Sequence, residues 1–262
     1  MAVLLDYQHV EISFNGNPVV HDVSFQLHPG EILGLVGESG SGKSTLIKAA
    51  MGLLGNSGMV TKGDIWFEGK NLPDVPAKEM RRICGEKIGM IFQDCGASLS
   101  PIRTIGEQIV ESMAAHRKVD VSDAKRTAME LFEKLRFKDG ERVWNSYPFE
   151  LSGGMNQRAG IAIAMLMNPA VLMADEPTSA LDVAVQRQVV DEMLHVREVF
   201  GTAIIIVTHD IGVVSAMADS IVVLQNGRVM EYGKAKDVLG NPQNDYTKKL
   251  LSAVPRLRRE KE

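Results

Sequence analysis

Apolar residues in the first part of the chain alternate with polar ones. Val10, Ile12 and Phe14 fall on one face of an extended backbone, and Val23, Phe25 and Leu27 repeat the pattern beyond Asn15-Gly16-Asn17-Pro18. A period of two marks half-buried strands, and an Asn/Gly/Pro cluster marks the turn between them. Ile32–Val36 is instead a continuous apolar run, as expected of a strand covered on both faces, and it leads directly into Gly37. Residues 43–53 then read as a helix, and residues 63–68 and 87–92 as further strands.

The period changes after Phe92. Residues 104–116 and 122–135 carry helical spacing, with Ser122 read as the N-cap of the second helix. The region from about 95 to 155 is therefore expected to be a mainly helical insertion, followed by another helix over 157–167. From Val171 the pattern alternates regularly: strand 171–174, helix Val183–Phe200, strand Ala203–Thr208, helix 211–218 and strand 221–225. Asn226-Gly227 then signals a hairpin into a last strand, 229–232. Such alternation predicts the α/β class, with a largely parallel sheet covered on both faces.

Composition narrows the function classes. A chain of 262 residues has room for one large α/β domain, or one with a smaller lobe. A net charge of −4 argues against a general nucleic-acid surface, so no nucleic-acid partner is expected. The longest apolar helical candidate, 159–167, is broken at Asn168-Pro169, and there is no basic start followed by a long apolar run. The chain is expected in the cytoplasm, reaching a membrane only through partners. Cys84 and Cys95 are too few for a disulfide framework, match no zinc spacing, and read as free thiols. The basic stretch 256–261 reads as a solvated end.

Chemistry enters at Gly37-Glu38-Ser39-Gly40-Ser41-Gly42-Lys43-Ser44, followed by Thr45, which fits G-x-x-x-x-G-K-[ST] between a predicted strand and a predicted helix. Glycines let successive backbone N–H groups face phosphate oxygens, and the helix N-terminus adds free donors and a favourable dipole. Lys43 should reach the β- and γ-phosphates, and Ser44 should ligate Mg²⁺. Asp175-Glu176 ends the apolar strand of 171–174. Asp175 there can hold Mg²⁺ through water, and Glu176 can polarise an attacking water as general base. These two stretches therefore imply binding and hydrolysis of a nucleoside triphosphate, with Mg²⁺ as the metal.

Leu151-Ser152-Gly153-Gly154-Met155 precedes another helix and can present a hydroxyl and backbone donors to an anion. With the loop above, Asp175-Glu176, Gln93, Ser179-Ala180-Leu181-Asp182 and His209, it resembles the ordered motifs of ABC-type ATPases, over nearly the whole chain. The resemblance implies a RecA-like P-loop core, an N-terminal antiparallel β subdomain and an inserted helical subdomain within one nucleotide-binding domain, 1–262, with a tail from about 241. It makes His209 the γ-phosphate switch, and Gln93 a carbonyl ligand to Mg²⁺ and a link to the helical insertion. Phe14 becomes the ring on adenine, with a core phenylalanine as the other reading. Ser152, Gly153 and Gly154 become donors acting on ATP held by a second subunit, and Asp182 part of the loop coupling the two sites.

Met155, where Gln is more usual, Glu38, the segment 98–111 and the tail from Asn241 resemble the dipeptide/oligopeptide/nickel importer group. Asn244-Asp245 stands where that tail usually has His-Pro, and the lack of cysteine after Cys95 predicts no iron–sulfur cluster. The implied partners are a second ATP-binding subunit, two membrane permeases and an extracytoplasmic binding protein, with this chain peripheral on the cytoplasmic membrane face. The importer's cargo would be di- or oligopeptides, nickel or a metal chelate. The alternatives are an exporter motor and a non-transport ATPase acting on DNA or ribosomes.

Overall fold

The alternating N-terminal pattern builds a hairpin of β1 (Leu5–Phe14) and β2 (Asn17–Leu27) in a computed structural model that describes residues 2–93, 98–179 and 181–252. Cys95, Ala180 and the basic stretch 256–261 lie outside the described residues. Strands β4 (Gly58–Phe67) and β5 (Lys70–Asn71) extend the hairpin into an antiparallel sheet of order β2-β1-β4-β5. Its inner face stacks Tyr7 on Phe25, ring centroids 4.2 Å apart, and the Tyr7 hydroxyl donates to Leu46 O at 3.1 Å. That bond ties the sheet to α1 (Lys43–Ala50).

The second sheet holds β3 (Ile32–Val36), β6 (Ile88–Ile91), β7 (Val171–Asp175), β8 (Ala203–Thr208), β9 (Ser220–Gln225) and β10 (Arg228–Lys234), in the order β10-β9-β3-β8-β7-β6. All neighbours are parallel except β10, which returns antiparallel on β9. Side chains of the central strands go alternately to two cores. Ile204 and Ile206 of β8 join one side with Leu172 and Ala174, while Ile205 and Val207 join the other with Leu33, Leu35 and Met173. Burial on both faces explains why these strands read as unbroken apolar runs. The register aligns their C-terminal ends: Val36 pairs with Thr208, Asp175 with Val207, and Ile91 with Ala174. Four chain exits therefore meet at one edge of the sheet, where open α/β sheets place their ligands.

Helices α2 (Ala77–Glu86), α3 (Ile105–Ala114), α4 (Val121–Lys134), α5 (Gly140–Asn145) and α6 (Gly153–Met165) lie between β5 and β7 in sequence. Ile109, Met113, Phe132 and Trp144 are buried in the core that α6 and α7 (Val183–Phe200) share. Arg158 of α6 pairs with Glu192 of α7 at 3.1 Å, and its guanidinium lies 4.4 Å from the Phe137 ring centre. The chain closes with α8 (Ile211–Met217), α9 (Ala235–Gly240) and α10 (Asp245–Ser252).

Several boundaries differ from the sequence reading. Helix α1 stops at Ala50 rather than 53, and Gly52 at φ 65° turns the chain away. Asp120, not Ser122, caps α4: its carboxylate accepts Asp123 N–H at 2.8 Å, and the Ser122 hydroxyl donates to the same oxygen. An ionised acceptor makes the stronger cap. Helix α6 starts at Gly153, because Ser152 caps it; the two glycines hide that first turn from a propensity reading. Helix α2 escaped the periodicity reading, since it buries only Met80 and Ile83 among charged residues.

Candidate active site

Strand β3 ends in the loop 37–42, and the loop's shape depends on two contacts with other strands. Gly37 has φ 152°, and a Cβ there would sit 2.1 Å from Leu224 O of β9, so only glycine lets the loop pass this close. The Asn226-Gly227 turn, with φ of 48° and 73°, presents Gly227 N–H to Ser41 O at 3.0 Å and accepts His21 N–H at 2.8 Å. The hairpin predicted from Asn-Gly therefore braces the loop from below and joins it to β2.

Gly42, at φ 99°, opens α1 without a side-chain cap, and no acidic residue lies in the first turn. The N–H groups there, on Lys43, Ser44 and Thr45, lack intrahelical acceptors and form the positive end of the helix dipole. Glu38, Ser39 and Gly40 are exposed above them, and Ser41 is buried. Lys43 is buried too, its ammonium donating to Gly37 O and Glu38 O, both at 2.8 Å. Burial pushes its pKa down, while the charges of Glu176 and Asp175 pull it up. A desolvated cation beside free N–H donors forms an anion site.

Two carboxylates complete it. Asp175 Oδ1 accepts the Ser44 hydroxyl at 2.6 Å. Glu176 holds φ 46°, a left-handed backbone that costs a side chain about 1–2 kcal/mol. Its N–H to Val207 O at 2.9 Å and its carbonyl to Ser179 N–H at 3.0 Å keep it there. The carboxylate lies between two groups from other strand ends: His209 Nδ1 is 3.4 Å from Oε1, and Gln93 Nε2 is 3.5 Å from Oε2. Glu176 is 18% exposed and His209 62%, so the pair reaches solvent mainly through the imidazole.

The remaining predicted residues are not drawn into this cluster. Ser152 accepts Met155 N–H at 3.3 Å as the cap of α6, and Ser152 and Gly153 are exposed. Among the described residues no hydrogen bond joins 152–154 to 37–45. Gly154 instead lies beside Val185 and Gln188 of α7. Asp182 caps α7 through Val185 N–H at 2.9 Å. Phe14 is half-buried at the end of β1, packed over Gly58 and against the first-sheet core. Gln157 and Gln186 escaped the sequence reading: they donate to Pro177 O at 2.9 Å and Thr178 O at 3.2 Å, tying α6 and α7 to the segment after Glu176. Gln157 lies on the buried side of an apolar helix, a place where a polar group needs a partner.

Residues 20–179 match a family model described as ABC transporter, and residues 230–262 match one described as the C-terminal region of oligopeptide/dipeptide transporters. The chain belongs to the ABC transporter family. It is an ABC ATPase, and ATP is its nucleotide. It is 42% identical over 259 residues to the oligopeptide transport ATP-binding protein OppD of Salmonella typhimurium, covering 97% of this chain and 77% of that one. It is 43% identical over 237 residues to the dipeptide transport ATP-binding protein DppD of Lactococcus lactis, covering 90% and 68%. In structure it is similar to cbiO1 of Clostridium perfringens, part of the ABC transporter complex cbiONQ, with TM-score 0.80, 26% identity and 92% of each chain covered. The ATP-binding cassette MJ0796, solved as a dimer in a post-hydrolysis state bound to ADP and Pi, matches with TM-score 0.75 and 27% identity over 88% of this chain and 99% of that one. Among the described residues of this ABC ATPase no helix is long and apolar enough to cross a membrane.

Proposed function

We propose that this ABC ATPase drives import of di- or oligopeptides, working on the cytoplasmic face of a membrane with two permease subunits, a second ATP-binding subunit and an extracytoplasmic binding protein. The observation that carries the reading is the match of residues 230–262 to the C-terminal region of oligopeptide/dipeptide transporters, in a chain whose relatives are named for peptide transport.

The site geometry supports a division of labour. The loop 37–42 and the start of α1 hold the phosphates, with Lys43 on the β- and γ-phosphates. Ser44, Asp175 and Gln93 are hard oxygen donors suited to Mg²⁺, and the 2.6 Å Ser44–Asp175 contact already gathers two of them. Mg²⁺ held by these residues would supply charge neutralisation on the phosphates. Glu176 takes the proton of the attacking water, and His209 and Gln93 orient the carboxylate and that water. Positioning and charge stabilisation dominate such a step. Ser152 and Gly153, both exposed, and the half-buried Gly154 act on ATP held by the second subunit, with Asp182 in the loop linking the two sites. Phe14 packs against the adenine.

The test is uptake of labelled di- and oligopeptides, and separately of nickel, in cells lacking this chain and in cells rescued with wild type or Glu176→Gln. Peptide uptake should vanish on deletion and return only with wild type. Unchanged peptide uptake overturns the cargo, and loss of nickel uptake alone moves it to the metal.

A further inference from the structure

One peptide unit of the phosphate loop is held from both sides. The carbonyl of Gly37 accepts the Lys43 ammonium at 2.8 Å, and the N–H of the same peptide, that of Glu38, donates to the Tyr246 hydroxyl at 3.2 Å. Tyr246 lies 208 residues further on, in α10.

The tyrosine has a built seat. The chain entering α10 is pinned by Glu231 of β10, whose carboxylate accepts Gln243 N–H at 2.9 Å and Asn244 N–H at 3.2 Å. Burial alone would raise the Glu231 pKa; these amides and Lys248 hold it below the usual range. Asn244 Oδ1 then accepts Tyr246 N–H at 2.8 Å. Tyr246, Leu250 and Leu251 pack on a small core that includes Val36 and Ile211. Val36 is the residue before Gly37, and Ile211 follows His209-Asp210. The helix thus rests on the two chain exits that carry the loop and the histidine.

We propose that Tyr246 is a positioning residue for ATP binding: by holding the Glu38 N–H it fixes the peptide whose carbonyl keeps the Lys43 ammonium at the phosphate site. Glu38 is exposed. Without the hydroxyl its N–H turns to water, the peptide can rotate, and Lys43 loses a fixed acceptor. Burial, and the nearby charge of Glu38, hold the Tyr246 hydroxyl neutral by raising its pKa, although its bond to Glu38 N–H works the other way. The inference rests on the phosphate-loop reading above.

The experiment measures binding of a non-hydrolysable ATP analogue to the full chain, with melting temperature, for wild type, Tyr246→Phe, Lys43→Ala and the double variant. Tyr246→Phe should weaken binding about three- to ten-fold through the loosened loop, while the melting temperature of the free chain falls by no more than the ~2–5 °C that one lost hydrogen bond accounts for. In the Lys43→Ala background the same change should have no further effect. If Lys43→Ala binds as wild type does, the phosphate-loop reading fails. If Lys43→Ala loses binding while Tyr246→Phe keeps it, only the role of Tyr246 fails. Equal Tyr246→Phe losses in both backgrounds, or a fall in melting temperature beyond about 5 °C, also overturn it.

Discussion

Ser44 Oγ donates to Asp175 Oδ1 at 2.6 Å, closing a contact between residues 131 apart in sequence. One stands at the start of α1 and the other at the end of β7, so the contact depends on β3 and β7 running in the same direction with β8 between them. These are two of the oxygens proposed to hold Mg²⁺. Asp175→Asn should raise the Mg²⁺ concentration needed for half-maximal ATPase activity about 10- to 100-fold, the range for groups that support a bound metal. A Mg²⁺ titration of turnover checks it, and an unchanged midpoint removes Asp175 from the metal site.

Glu176 stands between His209 and Gln93 and is the proposed general base. Glu176→Gln should cut phosphate release about 10²- to 10⁴-fold, the usual contribution of a general base, while ATP binding persists. Size-exclusion chromatography with ATP should then show a dimer. Turnover like that of wild type would assign the base elsewhere.

On the proposed reading, His209 orients Glu176 and the attacking water. His209→Ala should lower kcat about 10²-fold through misplacement of Glu176 and the water, with little change in KM. Steady-state kinetics separate the two, and a rise in KM alone would make His209 a binding group.

Gly37 and Gly40 offer a matched pair. A Cβ at Gly37 meets Leu224 O at 2.1 Å, whereas one at Gly40 meets open space and only the left-handed backbone at φ 79°. Gly37→Ala should destabilise the chain by at least about 2–3 kcal/mol, and Gly40→Ala by about 1 kcal/mol. Thermal melts of the two variants give the comparison, and equal losses would show that β9 yields.

Burial lowers the Lys43 pKa, although Glu176 and Asp175 oppose the shift. If the protonated form binds phosphate, as proposed, ATP affinity is complete below the Lys43 pKa of the free protein and falls as pH rises through it. The fall should begin at lower pH than for an ordinary lysine. Binding titrations across the alkaline range check it, with Lys43→Arg moving the limit upward.

The local signals were legible wherever a physical requirement is short-ranged. An apolar run followed by a glycine-rich turn and Lys-Ser can be read from neighbours alone, and so can the hairpin at Asn226-Gly227, because both turn positions need positive φ. Helix starts were less legible. Asp120 displaced Ser122 as a cap because which acceptor meets the free N–H depends on where the chain enters the helix. Gln157 and Gln186 stayed hidden, since a glutamine's partner across a fold leaves no trace in its neighbours.

By itself the sequence determined most element types, the glycine-rich loop ending in Lys43-Ser44, and the acidic pair Asp175-Glu176, because periodicity, turn chemistry and residue type act over a few positions. Only the tertiary structure decided which strand ends meet, and therefore that Gln93, Glu176 and His209 form one cluster. It also decided that the turn at Gly227 and the hydroxyl of Tyr246 brace the phosphate loop. Those contacts follow from strand order and register, which depend on how the whole chain buries its apolar faces.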